Sequence, residues 1–369
     1  MQIETIEAIA VDIPLSRNFG GSTYDVLKRS TIITRLRTTD GVEAQVYNGD
    51  NREHGLAIVG IIENELAPIA IGKSIFAYER IWHDMFALSI ANRDRKLLLE
   101  AIACVDCAIW DACGRASGRT VNEMLGGYTT QVPMISIGGY YADGKTDADI
   151  AAEMQLYADA GMAGCKFKVG GLSPDEDAAR VRVARSAVGP EFVLAVDANR
   201  GWTAEAAIRF AQLVEPLGIA WFEEPCHWYD DVAATARVRN QTSIPITSGQ
   251  SEISSHGIRR LVEGGAVDFV NYDASEGGGV TDWRRAAAIC ATSGTAMTHH
   301  EESQVSQHLI SAIPHGRYIE CFGDPERDPV WHRMWTNRPQ LKDGNMPITT
   351  GAGFGLELDH KLIERYRVN

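Results

Sequence analysis

Hydrophobic and polar positions along the chain fall into two regimes. Over residues 1 to about 60, apolar and polar residues alternate, as in IETIEAIAVDI and STIITRLRTTDGVEAQVYNG, the period-2 signature of strands. Asp40–Gly41 separates two such runs and predicts a hairpin turn. From about 56 to 125 the spacing turns helical, through GLAIVGIIENELAPIAIG, IFAYERIWHDMFAL and LLLEAIACVDCAIWDACG, and stops at MLGG. Strands followed by helices predict a separate α+β domain over residues 1–125.

From about 132 short apolar runs alternate with helical segments: VPMISI, GCKFKV, FVLAVD, IAWFEEP, IPITSG, AVDFVNYD, TAMTHH and YIECF. Eight runs with helices between them suit a closed α/β barrel over residues 126–325 better than an open, doubly wound sheet. Beyond about 325 the chain is rich in Pro, Trp and Gly, and no further barrel unit is expected. Residues 326–369 are expected to pack back on the first domain.

Most of the apolar runs end in a polar residue that opens a Gly-rich or polar loop. Taking Lys168, Asp197, Glu223, Gln250, Asp273, His300 and Glu320, the steps are 29, 26, 27, 23, 27 and 20 residues, about one strand–helix unit each. A (β/α)8 barrel assembles its active site from the C-terminal ends of successive strands, so the series reads as one site.

Composition narrows the partners. The chain has 369 residues, 45% hydrophobic and 23% charged, enough for two cores. A net charge of −14 argues against nucleic acid or an anionic membrane, but a local cationic pocket still leaves room for a small anion. MQIETIEAIAVDIPL reads as a strand, not a signal peptide. No apolar run approaches 18 residues, so the cytoplasm is the expected compartment. Seven cysteines include a CxxC at Cys104 and Cys107. Their helical apolar context marks them as core residues and not a metal or redox motif.

Lys166 and Lys168 flank Phe167 on a strand, so both face the side opposite Phe167, the barrel interior. Two ammonium groups there demand anions, and their repulsion and desolvation are expected to lower the pKa of at least one, making it a usable base. Asp197 and Glu223 are hard oxygen donors suited to Mg²⁺. Gln250 stands where a third ligand is expected, with Glu252 as the alternative if the loop bends. His300 and Asp273 have the order of a general base and its orienting carboxylate, with His299 read as structural. Glu320 closes the ring. Asn199 and Glu224 are expected to steady the groups that bind.

Together the helix CVDCAIWDACGRASG with its LGG, KxK in KFKVGG, VDAN, WFEEP, the His–Asp pair and GFGLELD resemble the enolase superfamily, in its mandelate racemase-like subgroup, over essentially the whole chain. The resemblance implies an α+β capping domain on a modified (β/α)7β barrel, a small carboxylate substrate chelated by Mg²⁺, and a homo-oligomer. It implies removal of the proton α to that carboxylate, with the metal stabilising the enediolate. By motif, Lys168 is the base on one face and His300, paired with Asp273, the acid/base on the other. Lys166 contacts the substrate carboxylate, Asp197, Glu223 and Gln250 occupy the metal positions, and Glu320 is the carboxyl donor. Gln250 is the main departure, since the family pattern there is glutamate.

Two such groups permit dehydration of a sugar acid or small hydroxy diacid to a 2-keto-3-deoxy acid, the favoured expectation, or racemisation or epimerisation. A homologue that binds an acid without turning it over is the third alternative. Substrate selection is expected from the loops Arg17–Tyr24 and Tyr47–Arg52, with Arg17, Tyr24, Asn48 and Arg52 as candidate contacts.

Overall fold

A computed structural model describes residues 1–50, 52–227 and 231–369. Strands β1 (Ile3–Gly20), β2 (Asp25–Thr38) and β3 (Glu43–Asn48) form an antiparallel sheet in that order. The predicted hairpin joins β2 to β3, with Arg37 opposite Glu43.

The cap is fastened to the barrel by the 23-residue helix Arg95–Ser117. The Asp94 side chain caps its first turn by accepting from Leu97 N, and left-handed Gly118 ends it. Every residue from Leu98 to Gly114 is buried, the mark of a helix covered on all sides. It lies between the cap sheet and the barrel helix Gly279–Ser293, to which Trp110 Nε1 donates through Thr281 Oγ1 at 2.9 Å. Cys104, Cys107 and Cys113 fall within it, and all seven cysteines are buried and free, as their context predicted.

The barrel strands are β4 (Gln131–Gly138), β5 (Gly164–Lys168), β6 (Val193–Asp197), β7 (Phe222–Glu223), β8 (Ile246–Ser248), β9 (Phe269–Val270), β10 (Ala296–Met297) and β11 (Ile319–Cys321). They run parallel in sequence order from β4 to β10, and β11 pairs with β4. The circle closes where Arg317 N donates to Met297 O at 2.8 Å. Among the described residues seven α-helices link the eight strands, giving the (β/α)7β form. Register then builds the site: Lys168 lies opposite Asp197, and Asp197 opposite Glu223. Because strand side chains alternate between faces, Phe167 turns outward into the core while Lys166 and Lys168 turn in.

Beyond residue 325 the chain first adds a strand that the sequence pattern did not predict. β12 (Asn345–Pro347) pairs antiparallel with β4. Three residues with one apolar side chain are too short to show periodicity. Next, Phe354 N donates to Asp111 Oδ1 of the cap helix at 2.7 Å. Gly353 makes that approach possible, since a Cβ there would lie 2.0 Å from the same oxygen. At the C-terminus, Val368 N donates to Ala10 O of β1 at 3.0 Å. Among the described residues no helix is long and apolar enough to cross a membrane.

Candidate active site

The C-terminal strand ends meet a cavity of about 530 Å³ between barrel and cap. Its lining from the barrel includes Lys168, Asn199, Arg200, Gln250, His300 and Glu301, and from the cap Tyr24, Asp50, Arg52 and Lys96. Both lysines are buried. Lys168 Nζ donates to Asp197 Oδ2 at 2.7 Å and to Asn199 Oδ1 at 2.9 Å. Lys166 Nζ donates to Glu223 Oε1 at 2.6 Å and to Glu320 at 2.9 Å, and lies 3.7 Å from Asp197. The structure thus brings Lys166, Lys168, Asp197, Glu223 and Glu320 into one cluster.

The expected fall in lysine pKa is not found. Burial pulls Lys166 down, but Glu223, Glu320 and Asp197 outweigh it and hold its ammonium well above the usual lysine value. Burial is also the largest single effect on Lys168 and lowers it, as does Lys166, but Asp197, Tyr24 and Tyr140 together hold it above the usual lysine value. Repulsion between the two lysines is the smaller effect because three carboxylates surround two cations. Burial, together with repulsion from Asp197 and Glu320, pushes Glu223 up to about 8 despite Lys166. The cluster is short of positive charge.

That shortage bears on a metal. Among the described residues, no group of three or more His, Cys, Asp and Glu side chains is set to hold one. Asp197 and Glu223 contribute two carboxylates, and the third position is an amide. The Gln250 Oε1 atom is buried without a hydrogen-bond partner, while its Nε2 donates to Glu224 Oε2 at 2.7 Å. A buried orphan acceptor beside carboxylates short of cation fits a hard divalent ion. Glu252 does not share this position, since its carboxylate lies 3.5 Å from Arg260 and it does not line the cavity. Glu224 also accepts from Ser251 Oγ at 2.5 Å, and so orients Gln250.

On the other wall His300 Nδ1 lies 3.0 Å from Asp273 Oδ2, and Ser275 N and Oγ donate to Asp273 Oδ1 at 2.6 and 2.7 Å. Burial opposes the charge on His300, but Glu301 and Asp273 hold its pKa well above the usual histidine range. His299 is structural, as expected. It accepts from Ala274 N at Nε2, donates to His300 O at Nδ1, and burial lowers its pKa.

The two cap loops divide. Tyr24 and Arg52 reach the cavity: Arg52 stacks 4.3 Å over the Tyr24 ring, and Tyr24 Oη donates to Asn199 Oδ1 at 3.2 Å. Arg17 is not brought there, because Asp324 Oδ2 holds its Nη2 at 2.7 Å in a neighbouring cleft. Asn48 is fully buried and donates to Ser275 O at 3.3 Å, outside the cavity lining. Asn51, within the second loop, lies outside the described residues.

Sequence reasoning missed Glu301 and Tyr140. Glu301 Oε1 is 3.2 Å from His300 Nε2. Tyr140, buried just after β4, is close enough in charge to feel Lys168, Tyr24 and Glu301. Tyr140 stands two residues past β4 and Glu301 four past β10, where the two-residue period no longer indicates direction. Of the seven non-glycine residues with positive φ among those described, Arg52, Asn199, Arg200, Glu224, Glu301 and Glu302 all line or adjoin this cavity. Strain of this kind persists where surrounding structure enforces it, commonly at functional sites.

Comparison with known proteins agrees with this geometry. Residues 5–126 match the mandelate racemase/muconate lactonizing enzyme N-terminal domain, and residues 149–362 match the enolase C-terminal domain-like family. The chain therefore belongs to the mandelate racemase/muconate lactonizing enzyme family of the enolase superfamily. It is 28% identical to the 3,6-anhydro-α-L-galactonate cycloisomerase of Streptomyces coelicolor over 99% of each chain. One solved mandelate racemase/muconate lactonizing enzyme is 44% identical, covers 100% of both chains and superposes with a TM-score of 0.96. Another, from a marine actinobacterium and in complex with magnesium, is 42% identical with a TM-score of 0.93, covering 100% of this chain and 99% of its own. Relatives further afield are dehydratases, cycloisomerases and an epimerase.

Proposed function

We propose that this protein is a Mg²⁺-dependent enzyme that removes the proton α to the carboxylate of a hydroxy acid and expels the neighbouring hydroxyl, giving a 2-keto-3-deoxy acid. The observation that carries this reading is the shared cavity: Lys168 and His300 both line it, beside buried Asp197 and Glu223 and the orphan Oε1 of Gln250. Asp197, Glu223 and Gln250 are the residues that would hold the metal. Bound Mg²⁺ supplies positive charge that competes with both ammonium groups for these carboxylates and draws electron density from the substrate carboxylate.

Lys168, once deprotonated, takes the α-proton at Nζ, and the C–H electrons pass into the carboxylate to form an enediolate. Lys166, held between Glu223 and Glu320, contacts that carboxylate in this reading. On the other wall His300 gives the Nε2 proton to the β-hydroxyl as its C–O bond breaks, releasing water. The resulting enol tautomerises to the 2-keto acid. Asp273 keeps the ring oriented throughout. Tyr24 and Arg52, which line the cavity from the cap, select the distal end of the substrate in this reading. Since proton-transfer groups stand on two walls, the second reading is racemisation or epimerisation, in which the opposite group returns a proton to the α-carbon.

The test is proton NMR of aldonates, aldarates and small α-hydroxy acids incubated with the enzyme and Mg²⁺ in D₂O. Loss of the α-proton with growth of a 2-keto-3-deoxy product supports dehydration. Deuterium entering the α-position of an intact skeleton replaces it with the second reading. No exchange with any acid overturns both.

A further inference from the structure

His300 carries a carboxylate on each ring nitrogen: Asp273 Oδ2 at 3.0 Å from Nδ1 and Glu301 Oε1 at 3.2 Å from Nε2. A neutral imidazole has one N–H and one lone pair. In the neutral form one nitrogen would aim its lone pair at a carboxylate oxygen. Only the imidazolium presents positive charge to both neighbours, through its hydrogen bond to Asp273 and its ion pair with Glu301. Glu301 reaches this position from a left-handed backbone, φ 43°, uncommon for a residue other than glycine. Its own N–H is fixed by Glu320 at 3.2 Å.

We propose that Glu301 is a positioning residue that holds His300 as the imidazolium before substrate arrives, so that this wall of the cavity donates a proton and does not remove one. The proposal deepens the dehydration reading and rests on it for its chemical consequence. Lys168 becomes the base, water loss the outcome, and racemisation, which needs a neutral His300 in one direction, is suppressed. On binding, the β-hydroxyl of a hydroxy acid replaces Glu301 at Nε2. The N–H proton passes to that oxygen as the C–O bond breaks, leaving water and a neutral ring that keeps its Nδ1 proton on Asp273. Solvent then restores the proton.

The charged groups around the pair come from several elements. Asp273 follows β9, and Lys166 on β5 opposes the charge on His300. Arg327 and Arg29 act on Glu301, and Glu301 acts on Tyr140 after β4. Neutral His299 adjoins Asp273, at 3.9 Å from Oδ1.

The experiment is a ¹⁵N-histidine titration of the full-length protein with Mg²⁺ present, His300 being assigned by its disappearance in His300→Asn. The expected result is imidazolium shifts for His300 at pH 7.5, a midpoint lowered by at least one pH unit in Glu301→Gln, and partial recovery in Glu301→Asp. The basic limb of the pH–rate profile moves by the same amount. A neutral His300 at pH 7.5 in the unmodified protein overturns the proposal, as does an unchanged midpoint in Glu301→Gln. If Glu301→Gln fails to fold, the unmodified protein and Glu301→Asp still decide it. The ring titration needs no substrate, so an error in the reaction leaves it standing. Conversely, failure of the titration leaves α-proton exchange by Lys168 untouched.

Discussion

Lys168 and Asp197 are register partners on adjacent parallel strands and are joined by a 2.7 Å ion pair. The proposed base and a proposed metal position are therefore held by the same backbone ladder, and removing one need not displace the other. Lys168→Ala is expected to lower α-proton exchange in D₂O by roughly 10²–10⁴-fold, the usual worth of a positioned proton-transfer group. Calorimetric titration should show that Mg²⁺ binding survives. Exchange at the original rate would remove Lys168 from the chemistry.

Gln250 is the neutral member of the proposed metal-binding set. Gln250→Glu adds a carboxylate next to Glu224, whose Oε2 now accepts from the amide at 2.7 Å. The metal-free variant is expected to melt lower than the original, and Mg²⁺ to bind it more tightly and restore it. Scanning calorimetry with and without Mg²⁺ measures both, and an unchanged Mg²⁺ affinity would exclude Gln250 as a ligand.

Arg29 ties cap to barrel from full burial, donating to Glu302 Oε1 at 2.5 Å, to Asp328 Oδ1 at 3.1 Å and to the Gly49 carbonyl at 2.7 Å. Removing one partner of a buried ion pair leaves the other charge uncompensated and costs about 3–5 kcal/mol. Arg29→Leu should show a loss of that order in urea unfolding, whereas an exposed pair such as Arg237–Glu205 should yield under about 1 kcal/mol when broken.

His308 gives the stability a defined pH dependence. Burial lowers its pKa to about 4, against a weaker opposing effect from the Phe354 carbonyl, 3.1 Å from Nε2. The unfolded chain therefore binds the proton more readily than the folded one. Stability from this group is complete above about 6.5 and is lost as pH falls from there through about 4. At about 1.4 kcal/mol per pH unit the loss approaches about 3 kcal/mol. His308→Gln should flatten denaturant midpoints across that window, and parallel pH curves for the two proteins would refute the assignment.

Much of the barrel was legible because most strand ends are marked by a change from apolar run to polar residue, and register does the rest. Lys166, Lys168, Asp197, Glu223, Asp273, His300 and Glu320 were found this way, and the structure gathers them. What the sequence could not give was the sign of the lysine shifts, which depends on how many carboxylates close around each ammonium. It also hid Glu301 and Tyr140, since direction past a strand end is set by loop dihedrals. Arg17 and Asn48 looked equivalent to Tyr24 and Arg52 on composition alone. Partners distant in sequence, Asp324 and Ser275, take them away from the cavity.

Glu301 and Glu302 are successive residues with the same left-handed φ of 43°, and their carboxylates serve different masters. One meets the ring of His300 and the other meets Arg29 of the cap. The seam that seats the cap and the contact to the His300 ring are thus separated by a single peptide unit. The seating of the cap through Glu302 and the proposed charge on His300 through Glu301 are therefore coupled along the backbone, so a change at either is felt at the other.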